Sequence, residues 1–186
     1  MTIYETSQQY IDMRGIHFNG RVLDIGGGGE GIIGLLSGDN VVAIDTRKDE
    51  LEEAPDCGLK IIMDACDLKF LDQAFAHVTC FFSLMYMDDE QVKKCLAEAS
   101  RVLKGGGLLW IWDSTIPSGL TEDAFVTQLK IQICDERVVT TGYGVGYKRS
   151  QSIAWIQTLC ENAGFVIEEA NASGEVFFLR VKKGND

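Results

Sequence analysis

The stretch Val22-Leu23-Asp24-Ile25-Gly26-Gly27-Gly28-Gly29-Glu30-Gly31, followed by Val41-Val42-Ala43-Ile44-Asp45, decides the fold of this chain. Val22, Leu23 and Ile25 form a short apolar run that predicts a strand over 22–25. Gly26 to Gly29 predict a turn with little side-chain bulk, where the backbone can bend sharply and approach a ligand. Ile32, Ile33, Leu35 and Leu36 then recur at helical spacing, which predicts a helix over 29–37. A second strand, 41–45, ends in Asp45, nineteen residues after Gly26. A carboxylate there can accept hydrogen bonds from two ribose hydroxyls. Strand, glycine turn, helix, strand and acid together predict a nucleotide-type cradle.

Gly26, Gly28 and Gly31 also satisfy G-x-G-x-x-G, so a nicotinamide dinucleotide and an NAD(P)-dependent oxidoreductase stand as one reading. Asp24 separates the alternatives. It lies two positions before the first glycine, where dinucleotide folds usually carry an apolar residue. A carboxylate beside the turn disfavours an anionic pyrophosphate and suits a ligand with a cationic end, such as S-adenosylmethionine.

With these residues the chain resembles the class I S-adenosylmethionine-dependent methyltransferases, most closely the small-molecule type grouped with the ubiquinone and menaquinone methyltransferases. Further motifs carry the likeness: Met63-Asp64-Ala65-Cys66-Asp67-Leu68, the run 78–87 from Val78 to Met87, and the run 98–109 from Glu98 to Leu109. One departure stands out, since the family's third glycine position falls on Glu30. The resemblance implies a Rossmann-like α/β fold, with a mainly parallel seven-stranded sheet, an antiparallel C-terminal strand and helices on both faces. It implies S-adenosyl-L-methionine as cofactor, held by Asp24, Gly26, Gly27 and Gly28 at its methionine part. Asp45 and Thr46 would serve the ribose, Asp64 and Ala65 the adenine, and Ser83 the region beside the reactive methyl. Each acid also has a plainer reading: Asp24 as a support for the turn, Asp45 as a helix cap, Asp64 or Asp67 as a turn cap.

At 186 residues the chain fits one domain, 1–186. Its net charge of −11 opposes nonspecific nucleic-acid binding, which needs cationic side chains against phosphate. The six cysteines form no C-x-x-C pair and only two histidines are present, so no metal site is expected. Cys80, Cys95 and Cys160 fall in apolar patterns and read as buried. The absence of a signal peptide and of a membrane-length apolar run predicts a cytoplasmic protein that does not insert in membranes.

Along the chain we expect a short helix within 5–14, a helix 47–54, strands 59–63 and 77–83, a helix 88–103 capped by Asp88, and a strand 107–113. Residues 114–149 then read as an insertion. Apolar and polar residues alternate from Val126 to Ile133 and Asp135-Glu136 suits a turn, which predicts a hairpin over 126–141; an amphipathic helix over 121–134 is its rival. A helix 150–162 and strands 165–169 and 176–182 follow, the last two joined at Gly174.

The chemistry of the acceptor is less defined. The insertion is a lid candidate, because Tyr143 and Tyr147 lie on a glycine-rich segment able to close over a site; packing of both on the sheet edge is the alternative. Asp113 ends a strand and either faces the pocket or caps the next segment. Related sequences often place a histidine after the fourth strand. Here Leu84-Met85-Tyr86-Met87 stands instead, which leaves Tyr86 as the one possible substitute. The expected activity is methyl transfer to a small-molecule acceptor, with a non-catalytic S-adenosylmethionine-binding partner protein as the alternative. Oligomeric state stays open, although a hairpin edge can pair between chains.

Overall fold

The computed structural model describes residues 1–184. Seven strands form the main sheet in the order β10 (Phe165–Ser173), β11 (Val176–Lys183), β7 (Leu103–Ser114), β6 (Phe75–Phe81), β3 (Val22–Ile25), β4 (Val41–Asp45) and β5 (Leu59–Ile62). From β7 to β5 all pairings are parallel, whereas β11 runs antiparallel to both β7 and β10. The α/β sheet with its antiparallel C-terminal strand is therefore as the sequence predicts. Gly174 makes the β10–β11 turn with a φ of 58°.

One face of this sheet is covered by α3 (Asp89–Val102) and α4 (Ile153–Asn162). Val92, Leu96 and Ala99 of α3 and Ile156 and Cys160 of α4 pack on Leu23, Ile25, Val78 and Cys80. Helix α3 starts in a capping box. Asp88 accepts from the Gln91 N–H at 2.8 Å, and the Gln91 side chain accepts from the Asp88 N–H at 2.9 Å. The helix ends at Val102, and Leu103 already begins β7, ahead of the expected strand start at 107.

The other face is covered in two ways. Beside β3 and β4 lie α1 (Ile32–Ser37) and α2 (Lys48–Glu53), which bury Ile32, Ile33 and Leu51. Beside β6, β7 and β11 lies a second, smaller sheet. Its hairpin is β8 (Ala124–Cys134) and β9 (Arg137–Gly146), an antiparallel pair. The strands β1 (Ile3–Glu5) and β2 (Gln9–Asp12) run in succession and parallel along the other edge of β8. Phe125, Leu129 and Ile131 are fully buried against Trp110, Trp112 and Phe81. The side chains of β8 thus alternate with a period of two, and the helical rival for 121–134 is excluded. Its inward set begins at Phe125 and Thr127, with Val126 on the outer side.

The expected helix within 5–14 is overturned. Gln9, Ile11 and Met13 are buried while Tyr10 and Asp12 are exposed, and this period-two alternation is that of a strand. The edge of β8 offers these residues unpaired backbone groups, which outweighs the weak helical pattern of so short a segment. No helix among the described residues is long and apolar enough to cross a membrane.

Candidate active site

At the carboxyl ends of β3, β4, β5 and β6 the structure opens a cavity of about 740 Å³. Its floor is the β3–α1 loop. The Gly26 and Gly27 N–H groups both donate to the Ile44 carbonyl, at 2.9 and 3.0 Å, and the Gly29 N–H donates to the Glu50 carbonyl at 2.8 Å. The loop is therefore tied to β4 and α2 through its own backbone. A side chain at Gly26, where φ is 75°, would place its Cβ 2.5 Å from that of Ser83. One at Gly28 would come equally close, 2.5 Å, to the Cβ of Glu50.

Asp24 does not line the cavity. It lies under the loop, 2% exposed, beneath Gly27, which is itself off the cavity wall. Its Oδ1 accepts from the Thr79 hydroxyl at 2.7 Å, and among the described residues no cation pairs with it. Burial pushes its carboxyl up to about 7, and the nearby Asp45 charge adds to the effect. A fixed carboxylate in this position is poorly stabilised until positive charge arrives above it.

Asp45 and Thr46 do line the cavity, as do Asp64, Ala65 and Ser83. Asp45 uses Oδ1 to accept from the Arg47 N–H at 2.9 Å, which leaves Oδ2 on the side of Gly28. Asp64 likewise uses Oδ1 to accept from the Cys66 N–H at 2.8 Å. Each acid performs the turn-making role and keeps one oxygen for a ligand. Ser83 is 7% exposed, and its hydroxyl has no hydrogen-bond partner in the structure. A buried hydroxyl without a partner carries an unmet hydrogen-bonding demand.

The roof comes from β9, through Gly142, Tyr143 and Gly144. Thr141 and Tyr143 are two apart on a strand and so share a face. Both hydroxyls donate to the Glu30 carboxylate, that of Tyr143 at 2.8 Å. Tyr143 also stacks on Phe82, with centroids 5.4 Å apart. Burial, and after it the charge of Glu30, holds the Tyr143 phenol well above its ordinary range. The residue that departs from the family's glycine pattern thus ties the glycine loop to the roof. The sequence signal for this was Glu30 itself together with the two hydroxyls spaced by two on a strand.

Tyr86 also lines the cavity. Burial and the charges of Asp113, Glu50 and Glu30 push its phenol up to about 12, so near neutral pH it donates protons and does not take them. Asp113 and Tyr147 do not reach the cavity. Asp113 is fully buried and accepts from four donors: the N–H groups of Leu84, Met85 and Ser114 at 3.0, 3.2 and 2.8 Å, and the Gln151 amide at 2.9 Å. Its capping role prevails, and its burial pushes it up to about 6. The Tyr147 hydroxyl accepts from the Gly119 N–H at 3.1 Å and is packed in the loop after β7.

Arg149, which sequence reading passed over, completes the support of the β6–α3 loop. It donates to the carbonyls of Leu84 at 2.9 Å and Met87 at 3.0 Å while stacking on Trp155. Asp113 holds the N–H groups of this loop and Arg149 its carbonyls, so Ser83 and Tyr86 sit on a braced turn. His77 lies far from the cavity, buried and accepting from the Trp110 indole at 3.2 Å, and His17 is exposed.

The charges on the cavity wall are Glu30, Asp45, Glu50, Glu53 and Asp64 against Arg47 alone. Arg47 is engaged by Asp49 at 2.5 Å and Glu50 at 2.9 Å. Such a wall attracts a cationic ligand rich in hydroxyl and amino hydrogens and repels a pyrophosphate. The residues present fit S-adenosylmethionine and disfavour a nicotinamide dinucleotide. No group of three or more metal-ligating side chains occurs among the described residues.

The methyltransferase domain family matches residues 23–111, the segment that supplies the floor and the loop after β6. No curated protein sequence matches the chain. Among solved structures, the PH0226 protein of Pyrococcus horikoshii OT3 superposes with a TM-score of 0.66 at 18% identity, over 89% of this chain and 84% of its own. An S-adenosylmethionine-dependent methyltransferase of Methanosarcina mazei gives 0.65 at 16% identity, over 92% and 95%. One from Clostridium acetobutylicum gives 0.61 at 16%, over 89% and 84%. At these identities the likeness to the solved structures is one of fold. Motifs, family match and fold agree on a methyltransferase domain over residues 23–111, in a chain that has the fold of S-adenosylmethionine-dependent methyltransferases.

Proposed function

We propose that this enzyme methylates a small-molecule acceptor inside the cavity between the glycine loop and β9. The observation that carries the reading is the roofed, acidic cavity of about 740 Å³, a size that suits small ligands and must accommodate cofactor and acceptor together. In this reading Asp24 provides negative charge beneath the methionine part, and Gly26, Gly27 and Gly28 give it close approach. The free oxygen of Asp45 takes the ribose, flanked by Thr46, and that of Asp64 with the backbone at Ala65 takes the adenine. Ser83 faces the transferable methyl.

The bound cofactor supplies an electrophilic methyl on a sulfonium whose neutral leaving group needs no acid from the protein. The work left to the chain is positioning and exclusion of water. Phe82, Tyr86 and Tyr143 wall the space around Ser83, and the brace of Asp113 and Arg149 keeps the Ser83–Met87 turn in place. No histidine lines the cavity and both phenols hold their protons. The acceptor is therefore one that attacks without a strong base from the enzyme. We read 1–186 as one methyltransferase domain in which 114–149 is an insertion. The 141–146 end of β9 is paired with Ala124–Leu129 of β8, whose Phe125 and Leu129 are locked into the core, and so forms a fixed roof.

Incubation with methyl-tritiated S-adenosylmethionine and a cell extract, split by ultrafiltration, tests this. Label in the low-mass fraction is the expected result. Label confined to protein or nucleic acid contradicts a small-molecule acceptor, and cofactor binding with no transfer to any fraction favours the non-catalytic alternative.

A further inference from the structure

We propose that the acceptor is an organic amine, bound with its nitrogen against Ser83 in the half of the cavity walled by Glu30, Phe82, Tyr86 and Tyr143. This rests on the methyltransferase reading and names the acceptor class of the same site. Charge is the first reason. Beside the aromatic wall stands the Glu30 carboxylate, fixed by the hydroxyls of Thr141 and Tyr143, while Arg47 is held by Asp49 and Glu50. A carboxylate or phosphate acceptor would meet like charge here, and an ammonium would be attracted.

The second reason is the wall itself. Tyr86 lines this space, as does Tyr143, which is backed at 5.4 Å by the buried Phe82. Aromatic faces attract cations, and more strongly once water is excluded. The third reason is the Ser83 hydroxyl, 7% exposed and without a partner. A hydroxyl oxygen can accept one N–H of an amine while the nitrogen's lone pair points elsewhere.

The chemistry agrees with the lack of a base. A bound ammonium gives one proton to water, and the freed lone pair forms the N–C bond as the C–S bond breaks with its electron pair passing to sulfur. The products are a methylated ammonium, a neutral thioether and one proton. An alcohol must instead lose a proton far less acidic than that of an ammonium, and the wall presents no histidine to take it. Glu30 is a positioning residue in this scheme, acting through charge on an acceptor that Ser83 touches.

The test is calorimetric titration of the whole chain, first with S-adenosylhomocysteine and then, at saturation, with phenethylamine, phenethyl alcohol and 3-phenylpropionate. These three share a ring and differ in the charge of the head. We expect phenethylamine to bind at least about ten-fold more tightly than 3-phenylpropionate, and Glu30→Gln to abolish that preference when both are measured at saturating S-adenosylhomocysteine. An amine that binds no better than the carboxylate, or a preference that survives in Glu30→Gln, overturns the proposal. The first titration isolates the underlying reading, because failure of S-adenosylhomocysteine to bind would sink the cofactor assignment itself. The wild-type series decides the charge preference even if the Glu30 variant fails to fold.

Discussion

The floor of the cavity is made of backbone and its roof of side chains. On the floor, the β3–α1 loop is bonded through its N–H groups to Ile44 and Glu50, and its one buried carboxylate, Asp24, has no cationic partner. In the roof, β9 hangs over the cavity by the hydroxyls of Thr141 and Tyr143 on Glu30. The two carboxylates are six residues apart in sequence. One accepts only from a neutral hydroxyl, that of Thr79, and the other is tied to two hydroxyls of the roof. On the proposed reading the floor attracts a cationic group and the roof is held in place above it.

The largest expected effect concerns what carries the roof. Phe125 is fully buried between the two sheets. Phe125→Ala should lower unfolding free energy by about 3–5 kcal/mol, read by urea denaturation. A loss under about 1 kcal/mol would mean that the hairpin detaches without disturbing the core, and the roof would not be a fixed part of the fold.

Asp24→Asn sharpens the floor, and its two consequences have opposite signs. The native carboxyl is raised from 3.8 to about 7, so burial favours the protonated form. Wild-type stability from this group is full below the unfolded value and declines as pH rises toward about 7. The Asn variant lacks this titration and should gain on wild type across that window, measured as the difference in denaturation midpoints. Its affinity for S-adenosylhomocysteine should fall by about ten-fold or more at neutral pH, through loss of the charge beneath the ammonium. Wild-type affinity should also rise from about pH 5.5 to about pH 7, and the variant's should not. A parallel rise in both would place the titrating group elsewhere.

Tyr143→Phe is the smallest change, since it removes one hydrogen bond to Glu30 and keeps the ring on Phe82. A cost of about 1 kcal/mol in stability is expected, with cofactor affinity within about two-fold of wild type. A large loss of cofactor affinity would show that roof and floor do not act separately.

The floor was legible in the sequence because it depends on short-range chemistry. Glycines at fixed offsets, an acid at each strand end and a helix cap at Asp88 all act within a few residues. Even there, position alone did not show that Asp24 lies under the loop and off the wall, because a side chain in the middle of β3 is buried on whichever face it points to. The N-terminal strands were missed for a different reason. Gln9, Ile11 and Met13 become a strand only because the edge of β8, more than a hundred residues away, is there to pair with them. The Asp113 and Arg149 brace is likewise long-range. Their contacts with Leu84 cross from β7 and from the segment before α4, and no local pattern announces them. Glu30 had a visible signal, the loss of a glycine, but its partners on β9 could be found only once the hairpin was folded over the loop.

The central claim is that this floor holds S-adenosylmethionine and not a dinucleotide. Calorimetric titration of the wild type and Asp45→Ala with S-adenosylmethionine and NADH tests it most directly. The account predicts binding of S-adenosylmethionine, weakened by about ten-fold or more in Asp45→Ala through loss of charged hydrogen bonds to the ribose, and no binding of NADH. Binding of NADH without S-adenosylmethionine would contradict it.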